Sequence, residues 1–251
     1  MTAIARLTRA ELRKLATTPA FLITLATAAA LAVISVIANA ANAGRNGAAA
    51  LGTDAATYQM LKVGPVIFVA MLVLVIIAAG GEYRHRTIIP AMLITPRRGA
   101  QIAAKAIAIA VAGVVLSGLT FGLGLAAAVG ELHARGIDQL PAGTAGMFAG
   151  SVAAAVLFGL IGVALGYITR STVAAVVGAV GWVVFAEYAI VRTVAPRLFS
   201  WLVSGTATVL TGPPMPGSIA PTPLTAAAAL AGYTTALLAI ATWLVRRRDV
   251  A

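Results

Sequence analysis

The sequence predicts an all-α integral membrane protein: six transmembrane helices, both termini on the cytoplasmic side, and an interfacial amphipathic helix ahead of the first span. Three observations predict it. Hydrophobic residues fill 61% of the 251 positions and charged residues only 10%, where a soluble domain carries about 25% charge. So little charge cannot cover a globule of this size, and lipid must be the solvent for most of its surface. Six apolar runs reach the roughly 20 residues that cross the hydrocarbon at 1.5 Å per residue. The basic residues gather at alternate ends of those runs.

Residues 4–17 come first and read as a helix lying on the membrane. At 100° per residue, Ile4, Leu7, Leu12 and Leu15 share one arc, and Arg6, Arg9 and Arg13 share the opposite one. Such a helix puts its basic face against anionic headgroups and its apolar face in the acyl boundary. Glu11 is the exception, because it falls inside the apolar arc. Thr8 and Glu11 have capping-box spacing, though using it would start the helix at Thr8. The long charged opening and the spanning length of the next apolar run argue against a cleaved signal peptide. Pro19 then ends the helix and turns the chain into the bilayer.

The spans follow at about 20–41, 63–80, 102–129, 146–168, 173–194 and 224–245. Thirteen Lys and Arg residues flank them on one side and five on the other. The richer side takes both termini and the 81–101 segment, which the positive-inside rule puts in the cytoplasm. The chain reads as a single six-span domain over 1–251, with no polar stretch long enough for a soluble one. Its net charge of +11 belongs to these span ends, not to a nucleic-acid surface. Arginine far outnumbers lysine and alanine is abundant, as in GC-rich bacterial genomes, so a multi-pass place in a bacterial cell membrane is expected.

Gly118/Gly122 and Gly162/Gly166 have the GxxxG spacing that lets helix backbones approach. Packing within one bundle and a seam between two copies both use it. The outer segment 195–223 is rich in glycine and proline, and its first part is amphipathic through Phe199, Trp201 and Leu202. It fits either an external loop or a gate-like segment that re-enters the membrane, where irregular backbone must be covered by protein or water. Within the fifth span lies Glu187, roughly 22 Å from the cytoplasmic start at 1.5 Å per residue. An acid at that depth is a functional candidate facing the bundle interior. It could line a pathway, pair with a neighbouring span or simply be hydrogen-bonded between helices.

The longest polar interlude runs from Gly80 to Lys105. Its glycine pair Gly80-Gly81 is expected to release the second span at the interface. Ile88, Ile89, Met92 and Leu93 form an apolar knob rimmed by Glu82, Tyr83, Arg84, Arg97 and Arg98. Such a knob fits a groove on another protein, or equally rests on the membrane as an anchor.

With these residues in view, the chain resembles the membrane subunits of ABC type-2 exporters. That family often shows a glutamate-aromatic-arginine run, then Gly-Thr, a Pro-x-Arg-like stretch and a lysine entering the third span. Here Glu82-Tyr83-Arg84, Thr87, Pro96-Arg97-Arg98 and Lys105 match, while Arg86 stands where glycine is common. The opening Glu11-Leu12-Arg13-Lys14-Leu15 with Thr17-Thr18 is also similar to the family's. The resemblance covers essentially the whole chain. It implies that 81–101 holds a coupling helix touching a separate ATPase subunit, through Glu82, Tyr83, Arg84, Thr87, Met92, Leu93, Pro96, Arg97 and Arg98. It also implies that the N-terminal helix, with Glu11, Arg13 and Lys14, is the connecting helix beside it.

The sequence has no GxxxxGK[ST] loop to cradle phosphates. ATP and magnesium are therefore expected on the partner ATPase, with no cofactor, metal or catalytic residue on this chain. A second permease copy or a sister permease would complete the pathway, and membrane lipid surrounds it. Other readings compete. A proton-coupled secondary transporter would use Glu187 and need no ATPase. A non-transporting scaffold or sensor would bind a partner through the same segment. An intramembrane enzyme finds little support, since His85 and His133 both fall in connections and the absence of cysteine removes thiolate chemistry.

Overall fold

A computed structural model describes residues 3–45, 50–84, 98–137, 140, 143–212 and 220–247, without side chains for 3, 82–84, 98–102 and 245–246. All the regular structure among these residues is helical. The order is α1 (Ala3–Thr17), α2 (Pro19–Asn42), α3 (Asp54–Met60), α4 (Gly64–Arg84), α5 (Arg98–His133), α6 (Thr144–Thr169) and α7 (Thr172–Val180). A π-helix (Gly181–Val191) follows, then α8 (Arg192–Val194), α9 (Pro196–Phe199), α10 (Val203–Leu210) and α11 (Pro223–Arg247).

Six stretches are long and apolar enough to cross a membrane: Pro19–Asn42, Asp54–Gly81, Ala103–His133, Thr144–Thr169, Thr172–Val194 and Pro223–Leu244. Each overlaps one of the six runs read from the sequence, and the second begins nine residues earlier, with α3. This is a multi-pass membrane protein by length and composition. The second stretch is central, with 61% of its apolar window buried, and the first is peripheral at 17%. One face of α4 packs with α2 and α5 around Val36, Ile67, Met71 and Leu116. Its other face packs with α6, α7, α10 and α11 around Phe68, Leu72, Ile76 and Phe158. The Phe68 and Phe158 rings meet with centroids 4.5 Å apart.

One local expectation changes. The second span does not end at Gly80-Gly81, because α4 runs on to Arg84. Gly80 is needed for contact instead: Thr172 of α7 lies where its Cβ would be. The first helix forms where it was expected, and the capping-box spacing at Thr8 goes unused. That helix is already formed at Ala3, and the Thr8 hydroxyl is buried within it without a partner. Pro19 behaves as expected, as the first residue of α2.

The two glycine pairs diverge. A Cβ on Gly162 would sit 2.9 Å from the Leu72 carbonyl oxygen, and one on Gly166 2.9 Å from Ala79 Cβ, so α6 lies almost backbone to backbone on α4. Gly118 and Gly122 on α5 have nothing among the described residues within 4 Å of the same position.

Between the fifth and sixth spans the chain forms a helical hairpin. Pro196 starts α9, the chain turns at 200–202, and α10 runs back with Ser204, Thr206 and Ala207 fully buried. Tyr233 lies ten residues into α11 and donates a hydrogen bond from its hydroxyl to the Trp201 carbonyl, at 2.8 Å. At 1.5 Å per residue the turn is thus about 15 Å down from the start of α11. The other end of α10 rises to Gly150 and Gly64, near the first turns of α6 and α4, where a Cβ would overlap Leu210 or Thr211.

Candidate functional site

Two polar constellations interrupt the apolar bundle. The first joins α1 to the third span. Glu11 forms an ion pair with Lys105 at 3.9 Å, both side chains being mostly covered. The Lys105 ammonium also lies 5.6 Å from the Tyr167 ring centre on α6, within cation–π range. Glu11, Lys14 and Lys105 border a crevice whose apolar wall includes Leu15, Val75, Ala79 and Ala108, with room for about one water. This accounts for the misfit in the amphipathic pattern. Glu11 shares the arc of Leu15 because that arc faces the bundle, where a lysine awaits it.

Arg13 and Lys14 also supply carbonyls to the end of α1. The Thr17 hydroxyl donates to the Arg13 oxygen at 2.8 Å, and the Thr18 hydroxyl to the Lys14 oxygen at 2.6 Å. These bonds satisfy carbonyls that a terminating helix leaves open. The coupling residues expected from the sequence fare differently. Glu82, Tyr83 and Arg84 occupy the last turn of α4 and Arg98 opens α5, but their side chains are not among those described. Thr87, Met92, Leu93, Pro96 and Arg97 lie outside the described residues.

The second constellation surrounds Glu187, which is fully buried. Its carboxylate accepts three hydrogen bonds. Trp182 Nε1 donates at 2.5 Å, the Ser204 amide donates at 2.7 Å, and the Ser204 hydroxyl donates to the same oxygen as that amide. No cation lies within ion-pair distance of it among the described residues. Ser204 is in the first turn of α10, and the flanking Leu202 offers no side-chain cap. Glu187 therefore caps that helix from outside. A carboxylate at a helix N-terminus satisfies an orphan N–H and meets the positive end of the dipole.

The bond from Trp182 depends on how the fifth span is wound. Residues five apart diverge by 140° on an α-helix turning 100° per residue. In the π-helix Gly181–Val191 they fall one above the other. One residue on, the Tyr188 and Thr208 hydroxyls are 2.6 Å apart, a turn further along α10 than Ser204. The Tyr188 ring meets Phe199 edge-on at 5.2 Å, and the Arg192 guanidinium lies 5.6 Å and 6.0 Å from those two ring centres.

Sequence reasoning singled out Glu187 but missed Trp182, Tyr188, Ser204 and Thr208. Only the Trp182–Glu187 spacing carried a readable signal, and it points the wrong way unless the helix is π-wound. No protein-family model matches this chain, and no curated protein matches it.

Proposed function

We propose that this chain is the transmembrane permease subunit of an ATP-driven ABC type-2 exporter, seated in a bacterial cell membrane with both termini inside. One observation carries the reading. The N-terminal helix and the two span ends that flank the segment between spans two and three meet at one end of the bundle. Glu11 and Lys14 of α1 share a crevice with Ala78 and Ala79 near the end of α4 and with Lys105 near the start of α5. That is where a partner pushing on 81–101 would also meet α1. The Arg247 guanidinium lies 4.4 Å from the Trp243 ring centre at the end of α11, an aromatic and basic anchor suited to a membrane interface.

In this reading ATP, magnesium and hydrolysis belong to a separate subunit docked on 81–101. Movement of that segment is transmitted to the third span directly and to α1 through Glu11–Lys105. A second permease copy, or a sister permease, completes the pathway, and Gly118 and Gly122 are left free to meet it. The bundle then alternates between inward and outward access as the ATPase pair closes and opens.

The test is association. The chain purified from its native membrane should carry an ATP-hydrolysing subunit with it, and Glu82→Ala with Arg84→Ala should remove that subunit while the bundle stays folded. A cysteine at Tyr83 should react only from the cytoplasmic side. Retention of the ATPase by the double variant, or external labelling at Tyr83, overturns the proposal.

A further inference from the structure

The fifth span is held in two unlike halves. Its first half, α7, is built into the bundle: Ala175 and Ala179 sit in the core with Leu72, Ile76, Phe158 and Ile161. Its second half reaches that core through Val183 and the half-buried Tyr188, while Phe185, Ile190 and Val194 are 67%, 59% and 79% exposed. Among the described residues the π-helix packs substantially against α7, α8, α9 and α10 alone, not against any other span. Its main ties beyond its own ends therefore run to the hairpin. The hairpin in turn is fixed on its far side, where Leu210 and Thr211 press on Gly150 and Gly64.

Glu187–Ser204 and Tyr188–Thr208 are thus fasteners between a loosely packed helix and a rigid one. Two consecutive residues on the π-helix grip two residues one turn apart on α10. At the junction of the two halves, Gly178 and Gly181 have open space among the described residues where a side chain would be, and the winding changes from α to π at Gly181. Unusual winding in mid-helix is a common place for a hinge. We propose that the outer half of the fifth span is a hinged arm, latched to α10 by Glu187 and Tyr188, that swings from the bundle about Gly178–Gly181. Release uncovers a carboxylate, the Ser204 and Thr208 hydroxyls and the first amides of α10, a polar strip in an otherwise apolar wall. The proposal goes beyond the exporter reading, because it concerns this chain whether or not an ATPase binds it.

The chain has no cysteine, so nitroxide labels can be placed in the intact protein in lipid nanodiscs, diluted with unlabelled copies. One pair, Ile190 with Leu224, spans the arm and α11; a control pair, Val173 with Leu224, spans the packed half and α11. All three positions are well exposed. Electron–electron resonance should give one dominant distance for each pair. Glu187→Leu should raise the population of a longer Ile190–Leu224 distance by about thirtyfold, the factor set by losing both hydrogen bonds that Ser204 donates across the latch. The Val173–Leu224 distance should not change. Tyr188→Phe keeps the ring contact and loses the hydroxyl, and should move the arm pair in the same direction by a smaller factor. An unchanged arm distance in either folded variant overturns the latch, as does parallel broadening of both pairs. If Glu187→Leu fails to fold, Tyr188→Phe decides alone. Loss of ATPase association would leave every one of these distances unaffected.

Discussion

Glu11 and Glu187 are both carboxylates set against apolar helices, and the molecule holds them by opposite means. Glu11, at the rim, faces a cation: Lys105 at 3.9 Å, in a crevice that admits water. Glu187, inside, faces only neutral donors among the described residues: an indole N–H, a backbone amide and a hydroxyl. The contrast has a physical reason. A lysine carried to Glu187 would have to shed its own hydration, and the desolvation of two charges can exceed their attraction. Fixed dipoles carry no such cost. The amide and the short helix behind it are already ordered by the fold, and a helix N-terminus favours a nearby carboxylate by about 0.3–1 kcal/mol, up to ~2 kcal/mol when partly buried. Charge answers charge where water is close, and dipoles answer it where water is excluded.

Breaking the inner arrangement should have the largest effect. Glu187→Leu leaves the Trp182 and Ser204 N–H groups without an acceptor, each costing about 1–3 kcal/mol. Loss of about 3 kcal/mol is expected, read as a lower unfolding midpoint in detergent. Glu187→Gln keeps one acceptor oxygen for the Ser204 amide and should lose about 1 kcal/mol. If the two variants are equally destabilised, the negative charge itself holds the site and the dipole account needs revision. If Glu187→Leu is neutral, the three bonds are incidental. On the exporter reading, a transport assay separates structure from pathway chemistry: a pathway acid would lose transport in the folded Glu187→Gln variant.

How much of this was readable beforehand differs between the two acids. Glu11 was visible as an anomaly, an acid in the apolar arc of Ile4, Leu7 and Leu15, and Lys105 as a charge just inside the third span. Their pairing joins residues that sequence position keeps far apart, so the anomaly was legible and its partner was not. The six spans were legible to within a few residues, because hydrocarbon thickness sets their length. Glu187 was legible for the same reason, as a charge where the bilayer tolerates few. Its donors were not. Ser204 belongs to a segment whose glycines and prolines read as a loop, and tertiary enclosure makes it α10. Trp182 lies five residues away, a spacing that means opposite faces under the usual helical period and the same face only in the π-helix. Glycine shows the same limit: identical GxxxG spacing at Gly162/Gly166 and Gly118/Gly122 does not say which pair the bundle consumes.

The rim arrangement should break more gently and in a salt-dependent way. Lys105→Glu places two acids together and should destabilise by about 1 kcal/mol, the scale of a partly exposed ion pair. Combining it with Glu11→Lys restores opposite charges and should recover most of the loss. The coupling between the two positions should shrink in 1 M salt, where the screening length falls to about 3 Å. A matching cycle on Glu187 and Ser204 should not respond to salt, since no ions reach that site. Equal salt dependence in the two cycles would mean that Glu187 is reached by water and that its enclosure fails.

The smallest effect should come from Trp182→Phe, and it is the most selective. The indole is 57% exposed, so most of its ring lies against whatever surrounds the protein, and only its N–H turns inward to Glu187. Phenylalanine keeps an aromatic ring in that outer position and removes a single donor. Two donors, the Ser204 amide and hydroxyl, still hold the carboxylate, so the expected loss is about 0.5–1.5 kcal/mol. The bond exists only because residues 182 and 187 are stacked by π winding. In a variant with Trp201 and Trp243 replaced by phenylalanine, the emission of Trp182 reports that stacking directly. Glu187→Gln should then shift the emission, because the indole loses its carboxyl acceptor oxygen. An emission indifferent to Glu187→Gln would mean that the fifth span is wound as an ordinary α-helix, with Trp182 and Glu187 facing apart.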